Sequence, residues 1–134
     1  MARELVIGNG GMLLTLDHSL KVRDFYYPVV GAENHLSGHS LRLGVWVEGQ
    51  FSWLGDEWQI IAQYLPETQV GACSAFNTAL GIELYINDAV HYSSNLYLKK
   101  ISVRNLKDSF RESKVFLSHD FHIYGVDTGD TALY

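Results

Sequence analysis

Apolar residues recur at every second position along most of this chain, and that period constrains the fold more than any other feature. Leu41, Leu43, Val45 and Val47 alternate with Arg42, Gly44 and Trp46, which predicts a strand with one buried face. Ile82, Leu84 and Ile86 alternate with Glu83 and Tyr85. Ile101 and Val103 oppose Lys100, Ser102 and Arg104 in a long run from Asn95 to Asn105. The same period continues from Lys114 to Tyr124, with Val115, Leu117, His119, Phe121 and Ile123 on one side. No segment carries a helical i, i+3, i+4 apolar stripe beyond a turn or two.

Turn chemistry separates these runs. Gly8-Asn9-Gly10-Gly11, Asp17-His18-Ser19, Gly55-Asp56, Asn77–Gly81 and Lys107-Asp108-Ser109 all read as turns. Glu48-Gly49 predicts a tight hairpin between the Leu41 run and Gln50–Leu54. Pro28 ends the run Leu20–Tyr27 and Pro66 the run Trp58–Tyr64, because proline cannot donate to a ladder. With Glu4–Ile7, Met12–Leu16 and the small-residue run Gln69–Phe76, about nine short strands emerge. They predict an all-β fold, an antiparallel two-sheet sandwich. A chain of 134 residues fits one domain, residues 1–134, burying roughly two-thirds of its unfolded surface. The last ten residues, Gly125–Tyr134, start a new turn-then-strand pattern and stop. This predicts that the chain is part of a longer polypeptide.

Composition narrows the function classes. Net charge is −5 and Lys and Arg do not cluster, so the cationic surface that nucleic acids or anionic membranes require is missing. No apolar run approaches a membrane span, and the N-terminus lacks a signal-peptide pattern. Cys73 is the single cysteine, which leaves no internal disulfide and no multi-Cys metal cage. A cytoplasmic protein is expected.

One stretch follows neither period. Asp24 to His39, DFYYPVVGAENHLSGH, holds one of two prolines and two of six histidines. A long irregular segment inside a compact β domain is usually functional or mobile. Tyr26 and Tyr27 are consecutive, so one should pack inward while the other faces a neighbour. With Glu33, Asn34, His35 and His39, they make this stretch a candidate domain-interface or sugar-proximal loop, presented to another surface; the alternative is a self-contained loop held by its own hydrogen bonds.

A self-contained active site is not expected. Asp24, Glu33, Asp120, Asp127 and Asp130 form no pattern that fixes two carboxylates across a glycosidic bond. Asp120 and His122 would share a strand face, with His119 opposite, and two ligands do not close a metal site. His35 and His39 have helical spacing, but Gly38 and the lack of an apolar face argue against a helix. Cys73 lies among small residues with no neighbouring base. Ser37 and Ser40 do not sit in a strand-turn-helix elbow. The Gly8–Gly11 turn has no following helix on which to hold a phosphate. No catalytic residue, metal or cofactor is assigned. Most aromatics, including Trp46, Trp53 and Trp58, fall within strands and are expected to be buried.

Four stretches, MARELVIGNGGMLLTLD, RDFYYPVVGAENH with its following GH, LGVWVEGQFSWL and HDFHIYGVDTGDTALY, carry a resemblance over essentially the whole chain. The sequence resembles the N-terminal region of prokaryotic glycoside hydrolase family 15 proteins, which include glucoamylase-like, glucodextranase-like and trehalase-like enzymes. The resemblance implies a galactose mutarotase-like β-supersandwich, here truncated, preceding an (α/α)6 barrel. In that family the barrel hydrolyses α-glucosidic bonds with inversion, using two glutamates that nothing in this chain matches. It therefore implies a non-catalytic β domain whose partner is the missing barrel. Two further expectations stand beside it: a carbohydrate-binding module for α-glucans, and a fragment that self-associates through unpaired strands.

Overall fold

The computed structural model describes residues 2–126. Among them are ten strands: β1 Leu5–Gly8, β2 Leu13–Leu16, β3 Val22–Tyr26, β4 Arg42–Val47, β5 Gln50–Trp53, β6 Gln59–Ile61, β7 Gly71–Asn77, β8 Ile82–Val90, β9 Tyr97–Asn105 and β10 Ser113–Ser118. The only helical element among the described residues is a single 3-10 turn, Ile123–Gly125. Of the stretch Gly125–Tyr134, expected to start a new strand, Gly125 ends the 3-10 turn and residues 127–134 lie outside those described.

All pairings are antiparallel; short turns favour this between consecutive strands, and the non-consecutive pair β4 and β10 has the same sense. They form a three-stranded sheet β1-β2-β3, a second ordered β10-β4-β5, and a four-stranded sheet β6-β7-β8-β9. The two smaller sheets meet at one bridge, where the Val22 and Leu41 amides each donate to the other's carbonyl at 3.1 and 3.0 Å. The fold is thus an antiparallel β-sandwich, with one buried cluster drawn from all three sheets. Leu5, Ile7, Leu14 and Leu16 meet Leu43, Val45, Val47, Ile82, Leu84 and Ile86 there.

Local chemistry sets the turns. The Glu48-Gly49 turn has φ of 50° and 80°, the doubly left-handed conformation whose twist suits a two-residue hairpin. Asp17, fully buried, caps its own turn: its Oδ1 accepts from the Ser19 and Lys21 amides at 2.8 and 3.1 Å. Its Oδ2 accepts from Arg23 Nε at 2.6 Å. Gly44 has no side chain for a different reason. A Cβ there would stand 2.5 Å from Phe51 Cζ and 2.7 Å from Trp53 Cε3, so the aromatic pair lies directly across the glycine.

Two expectations need correction. The alternation from Lys114 to Tyr124 yields a strand only to Ser118, whose partner is Arg42, the first residue of β4. The residues before Arg42 belong to the irregular loop, where His39 N is bonded to Leu36 O, so no strand continues there for β10 to pair with. The tryptophans also differ among themselves. Trp58 is buried and donates Nε1–H to Ser52 Oγ at 3.0 Å, but Trp46 and Trp53 are half-buried. Lys114 Nζ lies 4.9 Å from the Trp46 ring centroid, and the Arg42 guanidinium 4.3 Å from that of Trp53, both within cation–π range.

Candidate functional site

The loop between β3 and β4 is held from within by one side chain. Asn34 Oδ1 accepts from the Phe25 and Leu36 amides at 3.1 and 3.2 Å, and its Nδ2 donates to Asp24 Oδ1 at 3.0 Å. An amide suits this place because it both donates and accepts. Asp24 is anchored in turn by Arg3 Nε at 2.7 Å and by the Thr15 hydroxyl. Burial raises the Asp24 pKa, but hydrogen bonds from Arg3 and Thr15, the Arg3 charge and the Asn34 contact outweigh it. The carboxyl is held below the usual range.

The segment after β10 clasps this loop. His122 N donates to His35 O at 2.8 Å, and Tyr124 N donates to His35 Nδ1 at 3.1 Å. With Nδ1 accepting, the His35 proton is assigned to Nε2, which donates to Tyr27 O at 2.6 Å. The His35 ring meets Tyr124 edge-on at 5.0 Å. His35 is buried, so it is a rivet between two segments.

Two surface features flank that rivet. The first is an open, largely aromatic groove of about 500 Å³, lined by Met12, Phe25, Tyr27, His35, Asn95, Phe121, Ile123 and Tyr124. Asn95, from the β8–β9 connection, donates to Tyr27 Oη at 3.2 Å. Phe121 stacks edge-on against Phe25 at 5.7 Å. The second is a polar cluster. Asp120 Oδ2 lies 3.0 Å from His39 Nδ1, and Asp120 Oδ1 lies 3.1 Å from His122 Nε2. The two imidazoles stack with centroids 3.5 Å apart and planes 15° apart. Desolvation raises the Asp120 pKa, but its hydrogen bonds to His122 and His39 together with their charges outweigh it and hold the carboxyl below its usual range.

The loop residues singled out in the sequence therefore divide. Tyr27 and His35 reach the groove, and His39 joins the polar cluster. Asn34 is an internal brace. Tyr26 is half-buried and bridges to Asn34, and Glu33 accepts from the Tyr27 amide through its backbone carbonyl at 3.3 Å. Tyr26 and Tyr27 are both half-buried, so the expected inward–outward contrast is absent. The proximity of His39 to Asp120 spans 81 positions, and only the His-Asp-Phe-His spelling hinted at half of it. Cys73 is buried in β7 and burial pushes its thiol pKa up, which suits packing and disfavours a nucleophile.

No family model matches the chain. In sequence it is 26% identical over 122 residues to an uncharacterized glycosyl hydrolase of Methanocaldococcus jannaschii, a match covering 88% of this chain and 18% of that protein. In structure it resembles a bacterial glucoamylase solved in complex with acarbose, with a TM-score of 0.77 and 12% identity. That likeness covers 91% of this chain and 18% of the glucoamylase chain. The chain thus spans less than one fifth of either protein, and the structural match speaks for fold alone. It shares a β fold with part of a glucoamylase and a distant sequence kinship with a glycosyl hydrolase.

Proposed function

We propose that this chain is the non-catalytic N-terminal β region of a glucoamylase-like hydrolase acting on α-glucosides, and that it packs on and supports a catalytic helical barrel. The observation that carries this reading is the correspondence of 91% of the chain to less than one fifth of a glucoamylase, alongside the glycosyl hydrolase relative. The remaining four fifths of such a protein would supply the chemistry. The edge positions of β9 and β10 agree with a docking role: each strand has one unpaired edge and carries exposed apolar side chains, Leu98 and Val103 on β9 and Val115, Phe116 and Leu117 on β10. In this reading the loop that follows β3, through Tyr27 and the His35 rivet, faces the barrel near its sugar-binding mouth; Asp24–Tyr26, read in the sequence as part of that irregular stretch, belong to β3. The lone cysteine, free and buried, suits a reducing compartment, and we place the protein in the cytoplasm. Among the described residues no helix is long and apolar enough to cross a membrane.

The test is an assay for glucose release from maltose, isomaltose and trehalose by the purified chain. No release is expected, and robust turnover by the chain alone would sink the non-catalytic reading. In a polypeptide that includes the barrel, Phe116→Asp should uncouple the thermal unfolding of the two parts, and Tyr27→Ala should raise KM. A stand-alone α-glucan-binding module is the less favoured reading, because the faces of Trp46 and Trp53 are already occupied by Lys114 and Arg42. Millimolar or tighter binding of maltooligosaccharides by calorimetry would reverse that ranking. Self-association through the exposed β9 and β10 surfaces should appear in sedimentation velocity at high concentration if the barrel is absent.

A further inference from the structure

Phe110 is the most exposed large apolar side chain among the described residues, at 99%, yet the turn that carries it is held on both sides of the ring. In this β9–β10 turn, residues 106–112, Asn105 Nδ2 donates to Ser109 O at 2.7 Å, and Asn105 Oδ1 accepts from Lys107 N at 3.1 Å. Arg111 donates Nε–H to the same Oδ1 at 3.0 Å, and its Nη1 and Nη2 donate to Leu80 O and Gly81 O, each at 2.7 Å. A phenyl ring held wholly in water gains no burial energy within the chain. On a turn already fixed, it costs little to order on binding.

Arg111 also sets where the ring stands. Besides reaching the β7–β8 turn, its Nη1 lies 3.6 Å from Glu48 Oε2 in the β4–β5 turn, so three turns share one end of the sandwich. An open cavity of about 590 Å³ lies at that end, its lining including Phe51, Asp56, Glu57, Trp58, Phe76 and Ala79. Leu80 both accepts from Arg111 and borders the cavity, which makes projection and hollow neighbours. Glu57 is held at its border: Oε2 accepts from Ser52 Oγ at 2.7 Å, and that oxygen accepts from Trp58 Nε1 at 3.0 Å.

We propose that this end face is the contact of a symmetric dimer, in which Phe110 of each copy seats in the hollow of the other. The proposal does not depend on the hydrolase reading, and it uses a surface apart from the free edges of β9 and β10. Two observations choose a second copy of this chain as the occupant. A two-fold contact needs a surface that complements itself, and here an aromatic projection and a partly aromatic hollow lie side by side. Charge agrees: Asp56 and Glu57 line the hollow and no lysine or arginine does, while the exposed Lys107 shares the turn with Phe110. Asp108 is exposed there too, so it is the lysine side of the tip that suits the acidic border. A buried aromatic anchor inside a polar rim is the arrangement that concentrates binding energy in few residues.

The experiment is sedimentation velocity of the full chain across the micromolar range, where the parent should dimerise reversibly. Phe110→Ala should weaken the dimer by about 30-fold or more, the loss expected of an interface anchor, with the circular dichroism of the parent. Lys107→Glu should weaken it, and Asp108→Asn should not. Ala79→Trp fills the hollow and should weaken self-association as well. Mixed with Phe110→Ala it should give a one-to-one heterodimer, because one chain keeps the ring and the other keeps the hollow. Leu98→Asp, at the far end of β9, should leave the dimer intact, which separates this contact from association through strand edges. A monomeric parent, a dimer indifferent to Phe110→Ala or lost with Leu98→Asp, or a mixture that associates no better than its components overturns the proposal.

Discussion

Strands β8 and β10 carry the same alternation and meet opposite fates. In β8, Ile82, Leu84 and Ile86 are at most 1% exposed, whereas in β10 Val115 and Leu117 stay 37% and 49% exposed. β8 lies between β7 and β9, with its apolar face against the core, whereas β10 is an edge strand paired only with β4. Alternation decides which residues share a face, and a covering layer decides whether that face leaves water. At roughly 25 cal/mol per Å² of apolar surface, the hydrophobic gain goes only to the covered strand. The open strand is therefore a surface with capacity for a partner, which is what the proposed docking on a barrel uses.

The largest test of that contrast lies at the far end of β8. Asp88 is fully buried, with Lys99 Nζ 2.6 Å from Oδ1 and the Tyr97 hydroxyl bonded to the same oxygen. Burial first, then the Asp88 charge, push the Tyr97 pKa far up, so the phenol stays a donor. Asp88→Ala strands a largely buried ammonium and should cost about 3–5 kcal/mol in urea unfolding. A loss near zero would mean that this part of β8 is open to water, and the contrast with β10 would fail. Leu84→Ala should cost about 2–5 kcal/mol by the same measurement, through lost transfer energy and a cavity.

Asp24, in β3, offers a pH-resolved check on the loop it braces through Asn34. Its folded pKa is depressed, so its contribution is present above the unfolded carboxylate value of about 3.9 and is lost as pH falls through the lower folded value. Asp24→Asn should thus cost about 1–2 kcal/mol at neutral pH. The melting-temperature gap from the parent should close in acid below that range. A gap independent of pH would show that the loop does not depend on the charge. The smallest effect belongs to β10: Leu117→Ala should stay within about 0.5 kcal/mol in the isolated chain. A cost matching that of Leu84→Ala would erase the distinction between the two strands.

Much of this architecture was legible in the residues because its causes are local. Period-2 alternation, the Glu48-Gly49 turn and the proline stops each act within a few positions of one another. The lack of either period after Tyr27 marked the irregular loop for the same reason. What stayed hidden depends on neighbours distant in the chain. The pattern of β10 ran on to Tyr124, but the strand stopped at Ser118 because its partner β4 begins at Arg42. His39 and Asp120 meet across 81 positions, and no spacing rule reaches that far. Gly44 stood among the alternating residues of the Leu41 run with no reason for a glycine, and only the placement of Phe51 and Trp53 across it gave one. The sequence by itself determined strands, turns and the side each residue takes, because backbone sterics and side-chain alternation are short-range. The tertiary structure decided which faces are covered and which polar groups converge, because both depend on where other layers end.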